Sequence, residues 1–152
     1  MVRFGKFYGN FIVFFLAGLL VLSGCGGGDK GPKPLAGGDF NKFFPKEEGS
    51  FKVVFTQEKK GMAQAKLKKD GKDVAILTIA DLISNSGAMG KFKNSSMKIA
   101  GYPGATSGSK GTVVLVANRF QVQVRSTGND LGESDRKAWL GKFNLKGLSK
   151  LK

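Results

Sequence analysis

The cleanest pattern along the chain is the alternation at residues 120–126. Phe120, Val122 and Val124 alternate with Gln121, Gln123 and Arg125. A period of two gives a strand one core face and one solvent face. Residues 112–117 before it are apolar, and Asn118-Arg119 supplies a turn, so the two runs read as a hairpin. Earlier, residues 50–57 place Phe51, Val53 and Phe55 on one face of a strand, residues 58–61 form a turn, and residues 62–68 make a second strand. Asp70-Gly71 is a strong hairpin signal. Residues 73–82 follow as a third strand, so nearly all apolar that it belongs in a sheet interior.

Helical signals flank these strands. Phe40, Phe43 and Phe44 share one face of a short helix that Asp39 caps and Pro45 stops. Near the end, Ser134-Asp135 caps a helix through Phe143, with Ala138, Trp139, Leu140 and Phe143 as its apolar face. Leu145, Leu148 and Leu151 predict a last short helical turn. Residues 84–111 are rich in Gly, Ser and Asn, with Met89, Phe92, Met97, Ile99 and Tyr102 scattered through them. A structureless loop of that length is unusual in a small domain. A short helical turn and a short strand near residues 96–100 are therefore expected. The expected fold is α+β: an antiparallel β-sheet of about five strands with N-terminal and C-terminal helices packed on one face.

The first residues obey a different pattern. Arg3 and Lys6 precede an apolar run of 12 residues, Phe11 to Leu22. That length suits the hydrophobic region of an export signal, whereas a spanning helix wants roughly 20 apolar residues. The run ends in Leu22-Ser23-Gly24-Cys25, and Cys25 is the one cysteine of the chain. This motif resembles the lipobox of bacterial lipoprotein precursors: an aliphatic residue, two small residues, then cysteine. The resemblance implies a diacylglycerol thioether on Cys25, cleavage between Gly24 and Cys25, and a membrane held through lipid. Several acyl chains anchor firmly, since each buried CH₂ contributes about 0.8 kcal/mol. In such lipoproteins an aspartate after the cysteine signals inner-membrane retention. Gly26 stands there instead, so the resemblance implies the outer membrane, facing the periplasm. The organisation expected is a signal peptide over 1–24, a Gly/Pro-rich tether over 25–38 that contributes no core, and a single domain over 39–152.

Charge and composition narrow the functions. The chain has 152 residues, with 25 Lys+Arg against 11 Asp+Glu and no histidine. The commonest general base and metal ligand is absent, and one cysteine makes neither an internal disulfide nor a thiolate metal site. No metal and no cofactor are expected. The glycine-rich GYPGATSGSKGT, residues 101–112, fails the P-loop spacing: Ser109 stands where the second glycine belongs, Gly111 follows Lys110, and a strand follows rather than a helix. Asp81, ending an apolar strand, is the most unusual carboxylate and has no evident partner in the sequence. Catalysis is not expected.

Lys59, Lys60, Lys66, Lys68, Lys69 and Lys72 cluster around the second strand and its turns, and Lys66 and Lys68 share a face of it. Such a patch attracts anionic surfaces. Lysines on a strand edge also simply discourage aggregation. Export separates the chain from cytoplasmic nucleic acid, and no aromatics interleave with the lysines for base stacking, so nucleic acid is not an expected partner. The sequence thus leads to a lipid-anchored envelope protein acting as a non-enzymatic binding or assembly module, with an envelope protein as partner. The alternative is a structural envelope protein that holds an anionic polymer or lipid through the lysines. A hydrolytic enzyme ranks third.

Overall fold

A computed structural model of the chain describes residues 31–151. The expected signal segment, the lipobox-like motif with Cys25, and the first residues of the expected tether lie outside them. The described chain is α+β, built on one antiparallel sheet of seven strands: β1 (Phe51–Lys59), β2 (Met62–Lys69), β3 (Lys72–Asp81), β4 (Lys98–Ile99), β5 (Tyr102–Thr106), β6 (Gly111–Val116) and β7 (Phe120–Ser126). Their order across the sheet is β1-β2-β3-β7-β6-β5-β4. The sheet therefore exceeds the expected five strands by two. One is β4, where a short strand is legible. The other, β5, contains Pro103 and Gly104 and shows no alternation. It is a strand because β6 offers it a partner, with Gly104 opposite Val114 and Thr106 opposite Thr112.

Of the two hairpins implied by the sequence, one turns where expected and the other one residue earlier. Asp70 and Gly71 have φ of 48° and 81°, the left-handed pair that a two-residue turn matched to strand twist demands. In the β6–β7 hairpin the left-handed residues are Ala117 and Asn118, at 52° and 50°, so Arg119 closes the turn rather than occupying its tip. Its N–H reaches the Val116 carbonyl at 3.1 Å.

The N-terminal helix differs from expectation in type and cap. It is a 3-10 helix, Gly37–Phe43, following Ala36, with no side-chain cap. Asp39 sits in its first turn and caps nothing. Three residues per turn stack positions i and i+3, so Gly37, Phe40 and Phe43 form its buried side. The C-terminal helix, α2 (Glu133–Gly141), follows Gly132 as its cap residue. Asp135 reaches back as an acceptor for the Gly132 N–H at 2.8 Å. A last short helix, α3, spans Leu145–Leu148.

Both terminal helical segments feed one core. Phe40, Phe43, Trp139, Leu140, Phe143 and Leu148 join Leu67, Leu77, Ile79, Val114, Phe120, Val122 and Val124 in a single apolar cluster. Arg136 is buried beside it and ties α2 to the sheet, donating to Thr112 Oγ1 at 3.0 Å and to Ser126 Oγ and the Leu131 carbonyl, each at 3.2 Å. The other sheet face is covered in part only. Leu82, Phe92 and Ala105 pack there on Val113 and Leu115. Phe92 belongs to a one-turn helix, α1 (Gly90–Lys93). This is why β6 is buried at every position: its two faces meet two separate apolar clusters.

Candidate functional site

Asp81 organises one end of the sheet. It is the last residue of β3, and its side chain is fully buried. Arg119 grips it from the β6–β7 turn, through Nε to Oδ1 at 3.1 Å and Nη2 to Oδ2 at 2.7 Å. The Ile83 N–H donates to Oδ1 at 3.1 Å and the Leu35 N–H to Oδ2 at 3.2 Å. Burial alone would raise the Asp81 pKa. The Arg119 hydrogen bonds and the two backbone N–H donors outweigh it, and the net direction is downward. The carboxylate that lacks a partner in the sequence thus has four donor contacts in the fold. It is a structural clasp, and among the described residues no second carboxylate or nucleophile is bonded to it.

The clasp holds a segment expected to be free. Besides the Leu35 contact, the Leu35 carbonyl accepts from the Gly61 N–H at 2.6 Å, and Arg119 Nη2 reaches the Lys33 carbonyl at 3.4 Å. Leu35 also packs on the main core. Gly37 lies so close to the β1–β2 turn that an added Cβ would stand 2.5 Å from the Lys59 nitrogen and the Met62 oxygen. Among the described residues, contacts with the domain therefore begin at Lys33, not at Asp39. Residues 33–38 form a strap, and the Gly/Pro composition that suggests looseness here permits close backbone approach.

The structure spreads the six sequence-selected lysines along the sheet. Lys59 and Lys60 stand at the β1–β2 turn, beside the strap. Lys69 and Lys72 flank the β2–β3 turn at the opposite end, paired with each other in register. Lys66 and Lys68 do share a face, as their spacing predicts. Both reach Asp73, at 2.6 and 2.7 Å. Hydrogen bonds from Lys66 and then Lys68 hold the Asp73 carboxyl below its usual value. Much of the central charge is thus answered by a carboxylate. β1 is an edge strand with Val54 and Phe55 about 40 % exposed. A bulge between Phe55 and Gln57 and the exposed Lys52 and Lys59 blunt that edge.

A more one-sided field lies elsewhere. Residues 46–81 carry eight lysines but also six carboxylates. Residues 82–129 carry six Lys or Arg and no carboxylate at all. Within this stretch Lys91 and Lys93 are exposed on α1. Between α1, β5 and the β6–β7 turn runs a groove of about 480 Å³ lined by Met89, Phe92, Pro103 and Leu115, with Ser86, Lys93 and Asn118 at its polar points. A second recess of about 310 Å³ shares Ser86, Met89 and Asn118 and continues to Ile83 and Arg119. Partial burial lowers the Lys91 pKa. These residues sit in the stretch whose pattern is weakest, and the signal that points to them is the absence of acids over 48 positions.

Among the described residues no three His, Cys, Asp or Glu side chains are placed to hold a metal ion, and no helix is long and apolar enough to cross a membrane. No protein-family model, no curated protein and no solved structure matches this chain.

Proposed function

We propose that the protein is a lipid-anchored component of the bacterial cell envelope, held by acyl chains on Cys25, whose domain serves as a non-enzymatic binding or assembly module. The observation that carries this is Leu22-Ser23-Gly24-Cys25 at the end of a 12-residue apolar run, with the chain's lone thiol at the acyl-accepting position. Gly26 supports placement in the outer membrane. The strap supports a domain built to be tethered, because among the described residues its first hydrogen bond to the domain is at Lys33, eight positions beyond Cys25. Asp81, the carboxylate with the most unusual setting, is spent on Arg119 and two backbone donors, which favours a binding over a catalytic role. Mass spectrometry of the N-terminal peptide from native membranes tests the reading. It should show a lipid-modified Cys25 at the new N-terminus. An unmodified thiol, or a mature chain beginning elsewhere, overturns it.

A second reading has one observation in its favour. Lys66 and Lys68 project from the same face of β2 with 44 % and 33 % of their side chains exposed, so the β1–β3 lysines can meet an anionic polymer such as an envelope polysaccharide. Asp73 works against this reading, and its removal provides a test.

A further inference from the structure

We propose that the pole of the domain bearing the strap, the Met89–Phe92 segment and the Asn118 turn is its membrane-facing surface, seated on the headgroup layer of an anionic bilayer. This rests on the anchor reading above and adds to it an orientation and a second, non-covalent contact.

The leash sets the first limit. Lys33 lies eight positions after Cys25, and fully extended that stretch spans at most roughly 29 Å. A Gly-rich chain of that length typically spans about 16 Å. A globular domain of this size is on the order of 35 Å across. The leash is therefore too short to run around the domain and turn the far end toward the bilayer. Its domain end is pinned: the Lys33 carbonyl accepts from Arg119 Nη2, and Arg119 lines the recess that continues into the Met89–Phe92 groove. The anchored end of the strap and the groove share one rim.

Charge sets the second limit. At this pole β1, β3 and β6 end while β2, β5 and β7 begin, which gathers Lys33, Lys59 and Lys60 at the strap side and Lys91 and Lys93 beyond the recess, all exposed. Of the nearby carboxylates, Asp81 is neutralised by Arg119, while Glu58 accepts from the neutral Asn41 amide at 2.6 Å and keeps its charge, so the lysines still dominate this pole. The opposite pole is mixed. The depression there is lined by Glu48, Asp130 and Asp135 as well as Lys69 and Lys142. An anionic surface attracts exposed lysines, so the pole where lysines outnumber the carboxylates faces the lipid and the mixed pole faces away.

The apolar groove completes the match. Met89 and Ala88 are half-buried and sit between Ser86 and Lys91. The Lys91 ammonium lies 5.7 Å above the Phe92 ring. Apolar side chains flanked by lysines suit the boundary between headgroups and acyl chains, and the groove offers room for part of one acyl chain.

Lysine acetylation of the full-length chain tests this. The chain is reconstituted in phosphatidylglycerol vesicles, in phosphatidylcholine vesicles and in neutral detergent. Lys91 and Lys93 should label several-fold more slowly in phosphatidylglycerol than in detergent, and phosphatidylcholine should protect them less. Lys69 and Lys72 should label alike in all three. Ser86→Glu, an exposed change at the groove rim, should restore labelling of Lys91. Equal labelling at both poles on an acylated chain overturns this inference and leaves the anchor standing, as does slower labelling of Lys69 and Lys72. The same spectra report Cys25: a chain with no acyl group there overturns the anchor and the leash argument together.

Discussion

Asp81 and Arg119, 38 residues apart in the chain, meet through two hydrogen bonds and join the end of β3 to the β6–β7 turn. The same carboxylate binds the Leu35 N–H, so one ion pair fastens three chain segments. Arg119→Ala leaves a buried carboxylate with two backbone donors and no counter-charge. Breaking one side of a buried pair is strongly destabilising, and a loss of about 3 kcal/mol is expected. Urea unfolding followed by Trp139 fluorescence measures it. A change below about 0.5 kcal/mol, the level of an ordinary surface substitution, would mean that the clasp carries no stability.

The clasp also predicts an acid-sensitive fold. The Asp81 pKa in the folded chain lies below its ordinary value of 3.8. The stabilisation is therefore complete above the unfolded pKa, at about pH 4. It is lost as pH falls through the lower folded value, because the unfolded chain binds the proton first. The wild-type urea midpoint should drop more steeply than that of Asp81→Asn between about pH 5 and pH 2. Parallel curves would place the acid sensitivity in other carboxylates.

Gly37 and Gly38 are neighbours with opposite settings. An added Cβ at Gly37 would press on the backbone of Lys59 and Met62, while at Gly38 its nearest neighbour is the Glu58 side chain at 3.6 Å. Gly37→Ala should cost about 1–3 kcal/mol, as overpacking does, and should loosen the strap so that proteases cut within residues 31–38. Gly38→Ala should leave both unchanged. Equal behaviour of the two variants would mean that the strap is not docked.

On β7, Val122 is wholly buried in the main core. Its neighbour Gln121 faces the other way, and its side-chain oxygen has no hydrogen-bond partner. Val122→Ala should cost about 1–3 kcal/mol. Gln121→Ala should change stability by less than about 0.5 kcal/mol, since it removes an acceptor that is already unsatisfied. A larger loss for Gln121→Ala than for Val122→Ala would invert the face assignment of the whole hairpin.

Asp73 answers the charges of Lys66 and Lys68. Asp73→Asn should lengthen retention on a polyanion column and steepen its salt dependence, because two ammonium groups lose their carboxylate. Unchanged retention would remove the β1–β3 lysines as a binding face and with them the anionic-polymer reading.

Much of the fold is legible in local pattern. The alternation of Phe120, Val122 and Val124 fixes which face of β7 is core, and Asp70-Gly71 fixes a hairpin, because each depends on neighbours within a few residues. The spacing of Phe40 and Phe43 marks a buried helical face for the same reason, while Phe44 is buried from the extended residue that follows the helix. The resemblance to a lipobox, too, rests on four adjacent residues, Leu22 to Cys25. Asp39 misleads as a cap because the preference for an acid before a helix does not distinguish an α-helix from a 3-10 turn that begins two residues earlier.

What local pattern cannot carry is the pairing of distant segments. β5 has no strand signal of its own and exists because β6 lies beside it. Asp81 has no partner within reach along the chain. Its counter-ion arrives only when β7 pairs with β3 and places Phe120 opposite Asp81, bringing the preceding Arg119 over the carboxylate. The six lysines read as one patch because they are close in sequence. An extended strand carries its ends far apart, at about 3.3 Å per residue, and so divides them between two poles. The strap is the sharpest case. Glycine and proline lower the internal order of a free segment, yet the lack of a side chain at Gly37 is what lets the backbone lie against the β1–β2 turn. Composition sets what that segment can do; the surface it meets decides which of those things it does.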